Sequence, residues 1–259
     1  MKNIIFFDVD GTLLDHSIGM DNVPDQTKKA IELLDKIGNY CIVATARTNL
    51  TEELKNLPFS GMVLSNGNYI EFQGNEIHNK VFSADQLTNM MTVLKKFNGA
   101  YIMGGYHDIL ISEADNFLIN EHDKIYGKPD YRLGIPVDEK INAVTALFHN
   151  KNDMYNAIEN LPSEWIYHIY ESPNTHMDIY LSGFSKGTAV KYLYEYLKIP
   201  YENTYAFGDG KNDREMMELV KYSTAMGNAV AEIKDIAYMT TDNVSNNGIY
   251  NALKKYRLI

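Results

Sequence analysis

The sequence predicts an α/β protein: a parallel-sheet core with helices on both faces, plus an inserted α+β domain. Three observations predict it. Short apolar runs at 4–7, 40–44 and 203–207 stop abruptly in polar or acidic loops, as buried parallel strands do. Between them, strand-like and helix-period segments alternate, as βαβ units require. From about 82 to 183 the rhythm changes to amphipathic helices mixed with alternating, Tyr-rich strands.

Ile4-Ile5-Phe6-Phe7 reads as a buried strand feeding the loop Asp8-Val9-Asp10-Gly11. Pro24 and Asp25 precede a helix with Ala30, Ile31, Leu34 and Ile37 on one face and Gly38 as its stop. Residues 40–44 are a second buried strand, followed by a helix over about 50–57 and a strand at 61–64. In the C-terminal third, Ser185 is a candidate N-cap for a helix over 186–197, and Pro200 follows its end. A strand at 203–207 leads to a helix at about 213–220 and a strand at 223–226. A helix near 230–236, a strand near 237–240 and a last helix near 248–256 follow. The middle carries helices at 84–97 and 153–161, with strand candidates at 101–103, 108–112, 142–148 and 177–181. The expected division is a core of 1–81 with 183–259, and an inserted domain of 82–182.

The 259 residues include 24 Lys plus Arg against 34 Asp plus Glu, a formal charge of −10. That balance argues against broad electrostatic binding of nucleic acid or anionic membrane, and leaves small anionic ligands open. With 45% hydrophobic residues, wholesale disorder is excluded. No run approaches the roughly 20 apolar residues of a membrane span, and the N-terminal run, broken at Asp8, is too short for a signal-peptide core. The expected location is the cytoplasm. Cys41 is the single cysteine, so no intramolecular disulfide or thiolate-rich zinc site forms, and its apolar neighbours predict a buried thiol.

Asp8-Val9-Asp10-Gly11-Thr12-Leu13 is the strongest chemical signal. Asp8 stands at the C-terminal end of an apolar strand, where open α/β sheets place ligand-binding groups. Carboxylates at i and i+2 of an extended backbone face the same side and can share one cation. The same residues fit a type I′ hairpin turn, which Asp-Gly favours. The following Asp15-His16-Ser17-Ile18-Gly19, however, lacks the alternation of a second strand. Gly208-Asp209-Gly210-Lys211-Asn212-Asp213 also follows a buried-type strand. Its residues favour turns in any loop, and an EF-hand reading fails on spacing. Two acidic loops at the ends of two buried strands can converge on one divalent ion in a parallel arrangement. Thr45-Ala46-Arg47 offers a hydroxyl, backbone amides and a guanidinium to an anion, and Lys186 opens a helix. Taken alone, each reads more simply as an ordinary surface lysine or N-capping threonine.

Taken together and in this order, these residues resemble the haloacid dehalogenase superfamily of phosphotransferases. Asp8 to Thr12 has the form of the first motif, Thr45 of the second, Lys186 of the third, and Gly208 to Asp213 of the fourth. The long insertion, Ser65-Asn66-Gly67 and Ala225-Met226-Gly227-Asn228-Ala229 are similar to the Cof-type subfamily with a C2B cap. Ala46 departs from that pattern, where glycine is usual.

The resemblance implies a Mg²⁺-dependent phosphatase of a small phosphorylated metabolite, most simply a sugar phosphate. Asp8 is then the nucleophile and Asp10 the acid–base. Mg²⁺ is expected on Asp8, the backbone carbonyl of Asp10, Asp209 and, more remotely, Asp213, which also orients Lys186. Val9, Thr12, Thr45, Ala46, Lys186 and Asn212 are expected to bind the phosphoryl group, while Arg47 is either a ligand or structural. Dehalogenases need no acid two residues after the nucleophile, so Asp10 favours phosphoryl transfer. The insertion is expected to cap the strand ends, with Tyr106, His107, Tyr170 and His176 as candidates for substrate contact or plain packing. A sugar-phosphate mutase is the alternative, disfavoured because Arg132 is the only arginine in 82–182. A non-catalytic metabolite-binding regulator is a further one. The sequence leaves monomer and homodimer equally open.

Overall fold

The computed structural model describes residues 2–107, 109–113, 116–126, 131–134, 139–172 and 174–259. The chain forms two units, Met1–His78 with Phe184–Ile259, and Asn79–Gly183. In chain order, the first runs through β1 (Ile4–Phe7), α1 (Asp25–Lys36), β2 (Tyr40–Ala44), α2 (Glu52–Lys55), β3 (Gly61–Leu64), β4 (Tyr69–Phe72) and β5 (Asn75–Asn79). The inserted unit holds α3 (Ala84–Lys96), β6 (Ala100–Gly104), β7 (Ile109–Ile111), α4 (Phe117–Tyr126) and β8 (Arg132–Leu133). It continues with β9 (Ala143–Phe148), α5 (Lys151–Glu159), β10 (Ile166–Tyr170) and β11 (Thr175–Tyr180). The first unit resumes with α6 (Lys186–Tyr196), β12 (Thr204–Gly208), α7 (Arg214–Leu219), β13 (Tyr222–Ala225), α8 (Ala231–Ile236), β14 (Met239–Thr240) and α9 (Gly248–Lys255).

The sheet of the first unit has the order β14-β13-β12-β1-β2-β3-β4-β5. From β14 to β3 every pairing is parallel; β4 joins β3 antiparallel. All four residues of β1 are buried, because a central parallel strand is covered on both faces. Phe7 stacks on Phe207 of β12 at 5.3 Å, and burying each of these rings contributes about 1.5–3 kcal/mol. Cys41 is fully buried in β2 as expected, and burial pushes its thiol pKa up. Helix α1 turns Thr27, Ala30, Ile31 and Leu34 inward, the i, i+3, i+4, i+7 stripe of an amphipathic helix.

The α/β class and most elements agree with the sequence. Three differences have physical reasons. The helix expected over 50–57 is a single turn, Glu52–Lys55, capped by Thr51 and stopped because Pro58 disfavours a helical Leu57. The helix expected at 153–161 begins at Lys151, because the Asn150 side chain accepts from Asp153 N at 2.9 Å. The hairpin alternative at Asp10-Gly11 does not occur: turns and a 3₁₀ helix, His16–Ile18, follow instead of a strand. The sequence reading names no counterpart of strands β4, β5, β8 and β10 or of helix α4, and Asp108 of the strand expected at 108–112 lies outside the described residues.

The inserted unit is a sheet of order β10-β11-β9-β6-β7-β8, antiparallel except for β7–β8. Leu87, Met90 and Leu94 of α3 and Met154 and Ala157 of α5 pack with Val144, Ala146, Met177 and Ile179 of the sheet. Strand alternation therefore turns His176 and Asp178 to the opposite face.

Candidate active site

Three adjacent parallel strands bring the predicted loops side by side. Phe7 of β1 is registered with Phe207 of β12 on one side and Val43 of β2 on the other. Asp8, Asp209 and Thr45 therefore follow at neighbouring strand ends. From β1 the chain continues outward to β2, and from β12 it continues outward the other way to β13, so the β1–β12 boundary is a topological switch point, the crevice where such sheets bind ligands. Asp8 N donates to Phe207 O at 3.1 Å, fixing the first loop to β12.

Lys186 reaches the same place from the first turn of α6, whose N-cap Ser185 forms a capping box with Thr188. Gly187 permits this approach: a Cβ there would lie 2.6 Å from the Glu215 backbone carbon of α7. The Lys186 Nζ donates to Asp8 Oδ1 and Asp213 Oδ1, both at 2.6 Å, with all three side chains essentially buried. The other oxygen of Asp213 accepts from the backbone N–H groups of Asp209 and Gly210, at 2.9 and 3.0 Å. Asp213 thereby shapes the loop that presents Asp209. The Thr12 hydroxyl donates to Asp209 Oδ1 at 2.9 Å and so orients that carboxylate. Gly11, at φ +87°, lies against Asp209 so closely that a Cβ would sit 2.1 Å from Oδ2.

One oxygen from each of Asp8, Asp209 and Asp213 lies within 4.8 Å of the others. Burial raises the Asp8 pKa well above the carboxylate range, Asp213 raises it further, and Lys186 opposes both. Burial, then Asp213, pushes Asp209 up to about 7, against the Thr12 hydrogen bond. On Lys186, burial disfavours the charge, but Asp213 and Asp8 outweigh it and its pKa rises. One ammonium facing three carboxylates leaves an excess of buried negative charge. Hard oxygen donors in that number fit a divalent cation, which would relieve the excess.

The Asp10 carboxylate does not join the three. Arg47 holds it as a fork, Nε to Oδ2 at 2.8 Å and Nη2 to Oδ1 at 2.6 Å. Burial works against the Asp10 charge, yet the Arg47 and His16 contacts prevail and hold its pKa well below the usual carboxylate range. The sequence left Arg47 open as ligand or structural; here its partner is Asp10. His16 was missed altogether, and a histidine in a 3₁₀ turn gives no sequence signal for it.

Arg47 N donates to Thr45 Oγ1 at 3.2 Å, so the Thr45 hydroxyl, 1% exposed with its residue, accepts inside its own loop. The Ser65–Gly67 turn closes this loop from behind: Ser65 N donates to Arg47 O at 2.9 Å and Asn66 N to Thr45 O at 3.1 Å. Asn228, in the run singled out at 225–229, donates from Nδ2 to Gly11 O at 2.7 Å. Val9 is buried, Ala46 is half-buried, and Asn212 is exposed at the mouth of the fourth loop. In the inserted unit, Tyr170 stacks on the cross-strand His176 at 4.5 Å, and Tyr106 lies 4.7 Å from His107. Burial lowers the pKa of His176, and lowers that of His122 to about 4. Among the described residues, no helix is long and apolar enough to cross a membrane.

Comparison with known proteins places these features in a common frame. The family pattern of haloacid dehalogenase-like hydrolases matches residues 5–253. A candidate phosphatase of Bacillus subtilis (strain 168), YkrA, is 26% identical over 268 residues, 100% of this chain and 99% of that one. The crystal structure of a hypothetical protein from Geobacillus kaustophilus HTA426 superposes with a TM-score of 0.90 at 27% identity, covering both chains fully. A sugar phosphatase of subclass IIB, BT4131, shares the fold with a TM-score of 0.82 at 20% identity, again over 100% of each chain.

Proposed function

The chain belongs to the haloacid dehalogenase-like hydrolase family as a phosphomonoester hydrolase, and we propose that its reaction is the Mg²⁺-dependent hydrolysis of a small sugar phosphate through an aspartyl-phosphate on Asp8. The observation that carries this reading is the buried Lys186 bridging Asp8 and Asp213 at 2.6 Å beside Asp209. A structural ion pair has no need of a third, half-buried carboxylate left at a raised pKa.

Asp8 attacks phosphorus in line, forming the Asp8–O–P bond as the ester P–O bond breaks. The departing alkoxide takes a proton from the Asp10 carboxyl, which the Arg47 fork holds ionised and which gains that proton once the substrate draws the fork away. The Asp10 carboxylate then removes a proton from water, whose oxygen attacks phosphorus, releasing inorganic phosphate and restoring Asp8. Lys186 neutralises the phosphoryl charge from one side, and backbone amides near Val9 and Ala46, with Thr45 and Asn212, take its oxygens. Asp8, Asp209, Asp213 and the Asp10 carbonyl would hold Mg²⁺, which supplies Lewis-acid neutralisation of the phosphoryl oxygens. Asp10 sets the leaving-group class: an alcohol needs that proton, a halide does not.

Inorganic phosphate release from p-nitrophenyl phosphate and a panel of sugar phosphates, with and without Mg²⁺, tests the reading. Wild type is expected to turn over only with the cation, and Asp8→Asn not at all. Absence of turnover by wild type on every phosphomonoester would overturn it. Isomerisation without phosphate release would indicate a mutase instead.

A further inference from the structure

The ammonium of the buried Lys186 is held at its tip by Asp8 and Asp213. Its root is held as well, by the same stretch of chain that supplies Asp213. Lys186 is the first residue of α6, with Ser185 as the N-cap. The Ser185 hydroxyl donates to Glu215 Oε2, across 30 positions of sequence. Glu215 follows closely on Asp213, in the first turn of α7. Asp213 and Glu215 thus take Lys186 from both ends, one at the charge and one at the backbone that carries it.

Proton counting gives Glu215 a definite part in the cap. Thr188 N donates to Ser185 Oγ at 3.0 Å and Ser185 N to Thr188 Oγ1 at 2.8 Å, while the two hydroxyl oxygens lie 3.0 Å apart. A serine hydroxyl has a single proton to give, and a carboxylate only accepts. The Ser185 proton therefore goes to Glu215, and the serine lone pairs are left for Thr188 N, the bond that caps α6. Room for this contact is built into α6. A Cβ on Gly187 would lie 2.7 Å from Glu215 Cγ, so the glutamate crosses the helix where it bears no side chain. A lysine stem is flexible, and donating to two carboxylates at 2.6 Å requires its root at a fixed depth.

On the basis of the phosphatase reading above, we propose that Glu215 is a positioning residue for Lys186: through the Ser185 cap it sets the depth of α6, and that depth places the ammonium between Asp8 and Asp213. Glu215 acts through the helix and has no role at the phosphorus. Its loss leaves Asp8, Asp209 and Asp213 in place, while the ammonium that neutralises the phosphoryl group is displaced.

A double-mutant cycle on p-nitrophenyl phosphate hydrolysis at saturating Mg²⁺ tests this role. In Glu215→Ala, kcat is expected to fall about tenfold, a share of what the ammonium contributes to transition-state stabilisation. Glu215→Gln, whose amide oxygen can accept from Ser185, should recover most of that loss. The background then shows the route. Made in Lys186→Met, the Glu215→Ala change should cost less than about a further twofold, because the group it positions is gone. Should Lys186→Met not fold, Ser185→Ala serves as the background; without the hydroxyl that Glu215 holds, Glu215→Ala should again add less than about twofold. Circular dichroism and thermal melts confirm that each variant compared is folded. An unchanged kcat in Glu215→Ala, or the same loss with and without Lys186 or the Ser185 hydroxyl, overturns the positioning role while leaving the phosphatase reading intact. A wild type inactive on every phosphomonoester overturns that reading and the inference with it.

Discussion

Without a divalent cation, the core unit should become more stable as the pH falls from about 8 to about 6.5, against the usual trend of acid destabilisation. The perturbation is chelation. Asp209 ordinarily titrates near 3.8 but is pushed up to about 7 by burial and then by Asp213. A group raised in the folded state carries its penalty above that pKa and sheds it as protonation proceeds. The full penalty is roughly 4 kcal/mol, from about three pK units at 1.36 kcal/mol each. Over the window from about pH 8 to 6.5, protonation of a single site near 7 recovers on the order of 1 kcal/mol. For a unit of this size that raises Tm by about 2–3 °C. Asp8, raised for the same reasons, adds in the same direction. Below about 6.5 the inserted unit interferes, because His122, lowered to about 4 by burial, must then charge at a cost. The assay is a series of thermal melts across this window with EDTA, repeated with millimolar Mg²⁺. Bound cation keeps the carboxylates ionised, so the slope should flatten and Tm should rise at every pH. A metal-free Tm that is flat or falls on acidification, or a slope the cation leaves unchanged, would refute the electrostatic account of the cluster.

Two substitutions probe the same cluster from other sides. Lys186→Met leaves the buried carboxylates without their ammonium; we expect a loss of about 3–5 kcal/mol in urea unfolding near pH 8. The loss should shrink with Mg²⁺, while kcat falls at least about 100-fold. Gly11→Ala forces a Cβ to within 2.1 Å of Asp209 Oδ2 at φ +87°. Displacing that carboxylate should weaken Mg²⁺ affinity, read by calorimetry, and cost about 1–3 kcal/mol of strain.

Much of the core was legible because its signals are local. Ile4-Ile5-Phe6-Phe7 before Asp8, and the 203–207 run before Asp209, each announce a buried strand with an acidic end, and parallel pairing does the rest. Side-chain partners were less legible. Arg47 and Asp10 are 37 residues apart and meet only because β1 and β2 are adjacent. Thr12 reaches Asp209 across 197 positions. The β4–β5 connection was missed for another reason. Gln73 and Gly74 both take positive φ, 50° and 75°, the geometry of a tight hairpin turn, but glutamine is not a residue that advertises it. Helix α4 had a usable signal in Asn116, whose side chain accepts from Leu118 N at 2.9 Å, yet the residues after it carry only a weak apolar stripe.

The pairing of β1 with β12 also matters during biosynthesis. Ile4 is registered with Thr204, so the ribosome makes the central strand long before its partner on that side. At ordinary elongation rates the interval is about 10–40 s. Throughout it, β1 is an edge strand of four fully buried-type residues with one flank unsatisfied, the kind of template that invites pairing with other chains. Asp8, the nucleophile of the proposed reaction, therefore follows directly on an apolar segment that lacks its β12 partner throughout that interval.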